Sequence, residues 1–304
     1  MKIIVTGSTG LVGRALVRSL LSEGHAVTRL VRGESQTFSA PGTTAVRWDP
    51  EWGTVEADAL EGHDGAVHLA GESVAEGRWT EEKKRRIFES RVKGTHLLAE
   101  TLAALKEKPR VLVSASATGF YGDRGEEVLR EESASGADFL AEVCREWEKA
   151  ALPASRAGVR VVHMRIGIVL SGEGGALEKM LTPFKMGVGG RVGSGRQYMS
   201  WIALEDLVGA IRHTLADEQL RGPVNAVAPR AVTNEEFTKT LGGVLGRPTF
   251  LPVPAFALRL AFGEMADVLL GGQRVEPARL KESGYQFKYP NLEGALRAAL
   301  GKKG

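Results

Sequence analysis

Cysteine is nearly absent. Cys144 stands alone among 304 residues, which excludes an internal disulfide and a thiolate metal cluster. The six histidines are scattered and show no ligand spacing. No apolar run approaches the roughly 18 residues needed to cross a bilayer, so no membrane partner is expected. Forty basic against 37 acidic side chains leave a net charge of only +3, which marks no nucleic-acid partner. Internal repeats, low-complexity tracts and a Pro- or Ser-rich linker are also missing, so the parts of the chain should pack directly on one another. A strand starts almost at Met1, leaving no room for the basic, apolar and cleavage regions of a secretory leader, and a cytoplasmic location is expected.

What is abundant is glycine at one informative place. Residues 1–13, MKIIVTGSTGLVG, run an apolar strand into Gly7, Gly10 and Gly13. Gly7 permits a sharp turn with positive φ, Gly10 lets phosphate oxygens approach main-chain amides, and Gly13 lets the following helix lie close on the strand. Ser8, Thr9, Leu11 and Val12 complete a cradle for a dinucleotide pyrophosphate. Ala15, Leu16, Ser19 and Leu20 then recur at helical spacing, Gly24 stops the helix, and a second strand spans 26–31. After that strand stands Arg32, where a ribose 2′-hydroxyl would want an acid and a 2′-phosphate a cation, so NADP(H) is favoured over NAD. Arg29 and Ser35 lie nearby, Glu34 opposes the same phosphate, and the alternative is a solvated surface arginine.

The alternation continues with strands at 45–48 and 66–69, a helix over 80–105 and strands at 110–114 and 159–166. This predicts an α/β, Rossmann-type doubly wound parallel sheet with a smaller C-terminal substrate-capping domain. A hairpin is expected around Gly53. Leu69, Ala70, Gly71 and Glu72 end the fourth strand, where a dinucleotide crosses the carboxyl edge of such a sheet. The run from Lys83 to Arg86 reads as a solvated helix face. Residues 171–195 hold eight glycines and read as a mobile loop with a short helix at 177–184. Beyond it come a helix at 204–215, a strand at 224–227 and a helix at 233–245 capped by Thr233. The division that follows is a dinucleotide-binding domain over 1–168, rejoined by 196–228, and a smaller domain from 169–195 and 229–304.

Gly7-Ser8-Thr9-Gly10-Leu11-Val12-Gly13, Val67-His68-Leu69-Ala70-Gly71, Arg91-Val92-Lys93-Gly94-Thr95, Ser114 to Ser116 with Tyr121-Gly122, and Trp201-Ile202 to Asp206 resemble the extended short-chain dehydrogenase/reductase superfamily. Arg78-Trp79-Thr80, Asp138-Phe139-Leu140-Ala141, Val143-Cys144 to Trp147-Glu148, Gln273-Arg274-Val275 to Pro277 and Gly284-Tyr285-Gln286-Phe287 are more closely similar to its nucleoside-diphosphate-sugar epimerase branch, with that branch's C-terminal domain of unknown function. The resemblance implies hydride and proton transfer by a Ser, a Tyr and a Lys four residues after that Tyr. This chain departs from the pattern. Its four tyrosines are followed at that distance by Gly125, Ile202, Tyr289 and Glu293, and Phe139 and Val143 stand where the Tyr–Lys pair belongs. Arg91 replaces the helix asparagine.

Ser116 and Tyr121 are the remaining catalytic candidates, with Tyr121 donating a hydrogen bond to a substrate oxygen and Ser116 orienting it. The alternative is that Tyr121 packs and Ser116 caps the strand end. Glu142 and Cys144 are reserves, and Arg91 and Arg165 are candidates for phosphate pairing. Two functions compete: an NADP-dependent oxidoreductase or epimerase-like enzyme on a small polar or nucleotide-linked substrate, and an NADP(H)-binding sensor without turnover. The expected partner is a small-molecule substrate, with a homodimer compatible with the apolar helix faces.

Overall fold

The computed structural model describes residues 1–33 and 41–302; Glu34 and Ser35 lie outside the described residues. β1 (Lys2–Thr6), α1 (Leu11–Ser22), β2 (Ala26–Val31) and β3 (Thr43–Asp49) come first, and β3 folds back on β4 (Thr54–Val55). Next are β5 (Gly65–His68), α2 (Glu81–Ala104), β6 (Val111–Ala117), a 3₁₀ turn over Thr118–Tyr121, β7 (Val128–Leu129), α3 (Phe139–Lys149), α4 (Leu152–Arg156) and β8 (Arg160–Ile166). Then follow β9 (Ile168–Leu170), α5 (Gly175–Lys185), β10 (Tyr198–Met199), β11 (Trp201–Ala203), α6 (Leu204–Ala216) and β12 (Gly222–Ala226). The chain finishes with β13 (Val232–Thr233), α7 (Asn234–Leu245), α8 (Ala255–Phe262), α9 (Met265–Leu270), β14 (Arg274–Val275), α10 (Ala278–Glu282) and α11 (Leu292–Ala299).

The main sheet has the order β12-β8-β6-β5-β1-β2-β3-β4, parallel throughout except for the β3–β4 hairpin. Successive residues of β1 face opposite layers, as the pleat requires. Ile3 and Val5 join Leu16 and Leu20 of α1 and Ile211 of α6 on one side. Ile4 joins Leu98 and Leu102 of α2 on the other. Both faces are thus covered, which a parallel sheet needs. Strand order reverses at β1, so the crevice above the carboxyl ends of β1 and β5 is the point where such sheets bind ligands.

Leu177, Leu181 and Phe184 of α5 pack with Trp201, Phe237, Leu241 and Leu296 in a further core, so the glycine-rich stretch carries a buried helix. Helix boundaries follow their caps. Thr80 accepts from the Lys83 amide, Asp138 from that of Ala141, and Thr233 forms a capping box with Glu236. β6 runs past 114 because Ser116 continues the pairing, opposite Arg165 of β8.

Candidate functional site

The glycine turn brings three elements closer than any side chain permits. Gly7 has φ +64°, and a Cβ there would lie 2.6 Å from the Leu69 carbonyl carbon and 2.8 Å from the Ala70 nitrogen. A Cβ on Gly13 would lie 2.1 Å from the Gly7 oxygen. Gly10 is the N-cap of α1 in extended conformation, and no side chain caps that helix. Its first amides therefore lack side-chain acceptors, in a place where the helix dipole favours negative charge. Ser8 is 1% exposed, and its Oγ has no partner. Thr9 and Gly10 are exposed, while Leu11 is flanked by Gly174 and Gly175 ahead of α5. An anion with several acceptor oxygens satisfies both the open helix end and the orphaned hydroxyl, so these residues fit a dinucleotide pyrophosphate.

The end of β5 is pinned against this turn. Thr6 Oγ1 accepts from the amides of Leu69 at 3.1 Å and Ala70 at 3.2 Å, and lies 2.8 Å from His68 Nδ1. With both lone pairs taken, the hydroxyl donates to Nδ1, which makes His68 the Nε2–H tautomer. Burial pushes the His68 pKa down to about 4, so the ring is neutral. Beyond it, Gly71 lies against the Arg91 guanidinium, whose Nη1 donates to the carbonyls of Glu72 at 2.9 Å and Ile87 at 3.1 Å. Arg91 also stacks 5.0 Å from the Trp147 ring centroid and makes no ion pair among the described residues.

Arg32 is exposed at the end of β2. Across the crevice, Glu72 is held below the usual carboxylate range by a 2.7 Å bond from Lys83 Nζ, then by the charges of Arg86 and Arg32. The Arg32 charge thus acts on Glu72 from the end of β2. Lys83 corrects the sequence reading: far from being solvated, it is 6% exposed and anchors Glu72. Helix periodicity around an apolar Ile87 four residues on was the available signal.

Ser116, at the carboxyl end of β6, is 3% exposed and donates to Glu148 Oε1 at 2.8 Å. Arg165 grips the same carboxylate with Nε and Nη2, at 2.8 and 2.9 Å. Facing this fork of donors the carboxyl oxygens accept, so the hydrogen between the two groups belongs to Ser116. Ser116 consequently offers only lone pairs to a ligand. Arg165 is fully enclosed: burial disfavours its charge, but Glu148 outweighs this and the net shift is upward. It is not placed to pair with a cofactor phosphate.

Tyr121 differs from its expected role. It is 0% exposed, its hydroxyl donates to Asn225 Oδ1 at 2.7 Å, and it accepts from Arg165 Nη1 at 3.0 Å. A phenol has one hydrogen to give, and here it is given to Asn225. Burial raises its pKa further, with the Arg165 charge opposing. Ser116 and Tyr121 are thus linked through Glu148 and Arg165. Phe139 meets Trp79 edge-on at 5.4 Å, and Val143 is buried. Glu142 is exposed, and burial followed by the Glu148 charge raises the Cys144 thiol to about 11. Glu148, Asn225 and Glu131, whose Oε1 accepts from the Asn225 amide at 3.0 Å, were missed because pairing across 17 or more residues leaves no local pattern. Arg165, set between the apolar Met164 and Ile166 in the strand 160–166, was the one hint.

A doubly wound sheet whose glycine turn sits at the strand-order reversal defines a dinucleotide-binding protein of the Rossmann class. Among the described residues no helix is long and apolar enough to cross a membrane. The chain belongs to the NAD dependent epimerase/dehydratase family, whose model matches residues 3–226, and residues 253–299 match a Domain of unknown function (DUF1731). It is 43% identical over 308 residues to the chloroplastic SDR39U1 homolog of Arabidopsis thaliana, covering 99% of this chain and 87% of that protein. The human epimerase family protein SDR39U1 is 37% identical over 302 residues, covering 98% and 99%. A crystal structure of that human protein (isoform2) with NADPH superposes with a TM-score of 0.87 at 34% identity, covering 98% of this chain and 99% of that one.

Proposed function

We propose that this protein binds NADP(H) at the Gly7–Gly13 turn and is an oxidoreductase or epimerase-like enzyme acting on a small polar substrate. The observation that carries the cofactor half is the uncapped α1 terminus beside the orphaned Ser8 hydroxyl. Arg32 favours the 2′-phosphate, and the human relative's NADPH complex supports the same choice. The backbone at Leu69, Ala70 and Gly71 bounds the crossing, held by Thr6.

NADP(H) supplies a hydride acceptor or donor when bound. The chain's part is to place the substrate and take its proton. Ser116 accepts a hydrogen bond from a substrate hydroxyl, and as that proton moves to Oγ the proton of Ser116 moves to Glu148 Oε1. Arg165 keeps Glu148 in place through this step. Tyr121 stays a neutral strut. A second reading, NADP(H) binding without turnover, is favoured by one observation: both hydroxyls the resemblance points to already donate inside the protein. NADPH oxidation and NADP⁺ reduction against carbonyl, alcohol and nucleotide-sugar panels separate the two. Turnover lost in Ser116→Ala and kept in Tyr121→Phe supports the enzyme; saturable NADPH binding with no turnover in any arm supports the sensor. A cytoplasmic location and a homodimer belong to the same proposal.

A further inference from the structure

At the amino-terminal end of the edge strands, away from the glycine turn, a cavity of about 730 Å³ opens between α3, α4, β8, β12 and the start of α10. That volume suits a small-molecule ligand. Arg160, Arg221 and Arg279 line it. Among the described residues no guanidinium nitrogen of the three has a carboxylate oxygen within 4.0 Å, although ion pairs are common elsewhere on the surface; Glu131 takes the main-chain amide of Arg279 at 3.2 Å and acts on its charge at longer range. Backbone carbonyls fix two of them. Arg160 donates to the carbonyls of Thr214 at 3.2 Å and Leu220 at 2.7 Å, and Arg279 Nη1 donates to those of Arg221 at 2.8 Å and Pro223 at 2.9 Å. Carbonyls orient a guanidinium but supply no countercharge.

The wall contains one acid, Glu148, and it is committed to Arg165 and Ser116. Asp217 and Glu218 act on Arg160 only at longer range, while Arg221 repels it. His163 also lines the cavity, with a buried Nδ1 that has no partner. Three cations around one space, two of them held in place, leave positive potential that an anion would relieve, and the imidazole offers one more nitrogen for a hydrogen bond. Guanidinium forks match phosphate oxygens in pairs, and holding the side chains in place beforehand lowers the ordering cost of binding.

We propose that this cavity is a binding site for a phosphorylated small molecule, separate from the glycine turn. The proposal does not rest on the NADP(H) reading. Pyrophosphate is the probe, titrated by calorimetry into the protein with and without saturating NADPH, and citrate is the polycarboxylate control. The expected result is one pyrophosphate site that persists when NADPH is present and binds at least about tenfold more weakly in Arg221→Glu. Arg221 is exposed, so that variant should keep the parent melting temperature and NADPH affinity. His163→Gln should weaken pyrophosphate as well. No pyrophosphate binding at about 10 mM, or binding that Arg221→Glu leaves unchanged, overturns the site. Citrate bound as tightly overturns the phosphate assignment. Loss of NADPH binding with an Arg221-sensitive pyrophosphate site intact would count against the dinucleotide reading alone.

Discussion

Tyr121→Phe removes one oxygen and leaves the ring among Leu129, Val227 and Val275. Two hydrogen bonds go with it, to Asn225 Oδ1 and from Arg165 Nη1. Arg165 Nη1 keeps the Glu131 carbonyl at 3.1 Å, and the rest of its fork keeps Glu148. Asn225 Oδ1 fares worse, because its Nδ2 is already used on the Glu276 carbonyl and a flip would exchange one lost bond for another. The cost is therefore dominated by one orphaned buried acceptor, roughly 1–3 kcal/mol. For a chain of this size that corresponds to a melting temperature lower by roughly 2–5 °C. NADPH affinity should stay within about twofold, since the hydroxyl touches no part of the crevice. Thermal and urea denaturation give the stability, and fluorescence titration gives the affinity. Unchanged stability together with lost turnover or affinity would refute the reasoning, placing the hydroxyl against the ligand.

Three further outcomes follow from the same geometry. Ser8→Ala deletes a buried hydroxyl that has no partner, so the free protein should be as stable as the parent or slightly more so, while NADPH binding weakens by roughly 1 kcal/mol, about fivefold; calorimetry and melting measured together check the split. Gly13→Val forces a Cβ onto the Gly7 carbonyl at 2.1 Å and should abolish dinucleotide binding or folding, whereas Gly10→Ala, at 3.4 Å, should fold and bind less tightly; circular dichroism with NADPH titration distinguishes them. His68 has its pKa lowered from 6.5 to about 4 in the folded protein, so the unfolded chain takes the proton first and stability falls as pH drops through that window. The loss is roughly 3 kcal/mol, and His68→Gln, which can still accept from Thr6, should flatten that part of the stability-versus-pH curve.

The parts legible in the sequence were those set by local spacing. The turn at Gly7, the α1 register and the second strand at 26–31 needed only glycine sterics and a 3.6-residue period, and Thr233 announced its helix through a cap three residues from Glu236. Arg32 and Glu72 were readable as strand-end positions, but the action of one charge on the other was not, because 40 residues separate them. The reaction end was misread for a physical reason. Tyr121 follows β6 as a catalytic phenol might, yet Arg165 of β8 and Asn225 of β12 take its hydroxyl, and Glu131, just past β7, holds the Asn225 amide. Lys83 looked solvated because a run of four cations rarely hides one, and only the return of the chain at Glu72 buries it.

The account depends on the glycine turn holding a phosphorylated dinucleotide. Calorimetric titration of the purified protein with NADPH and with NADH tests that directly, with Arg32→Ala alongside. The prediction is saturable binding of NADPH, at least about tenfold tighter than NADH, with most of that preference lost in Arg32→Ala. Heat-silent titrations with no shift in melting temperature for either dinucleotide would contradict it.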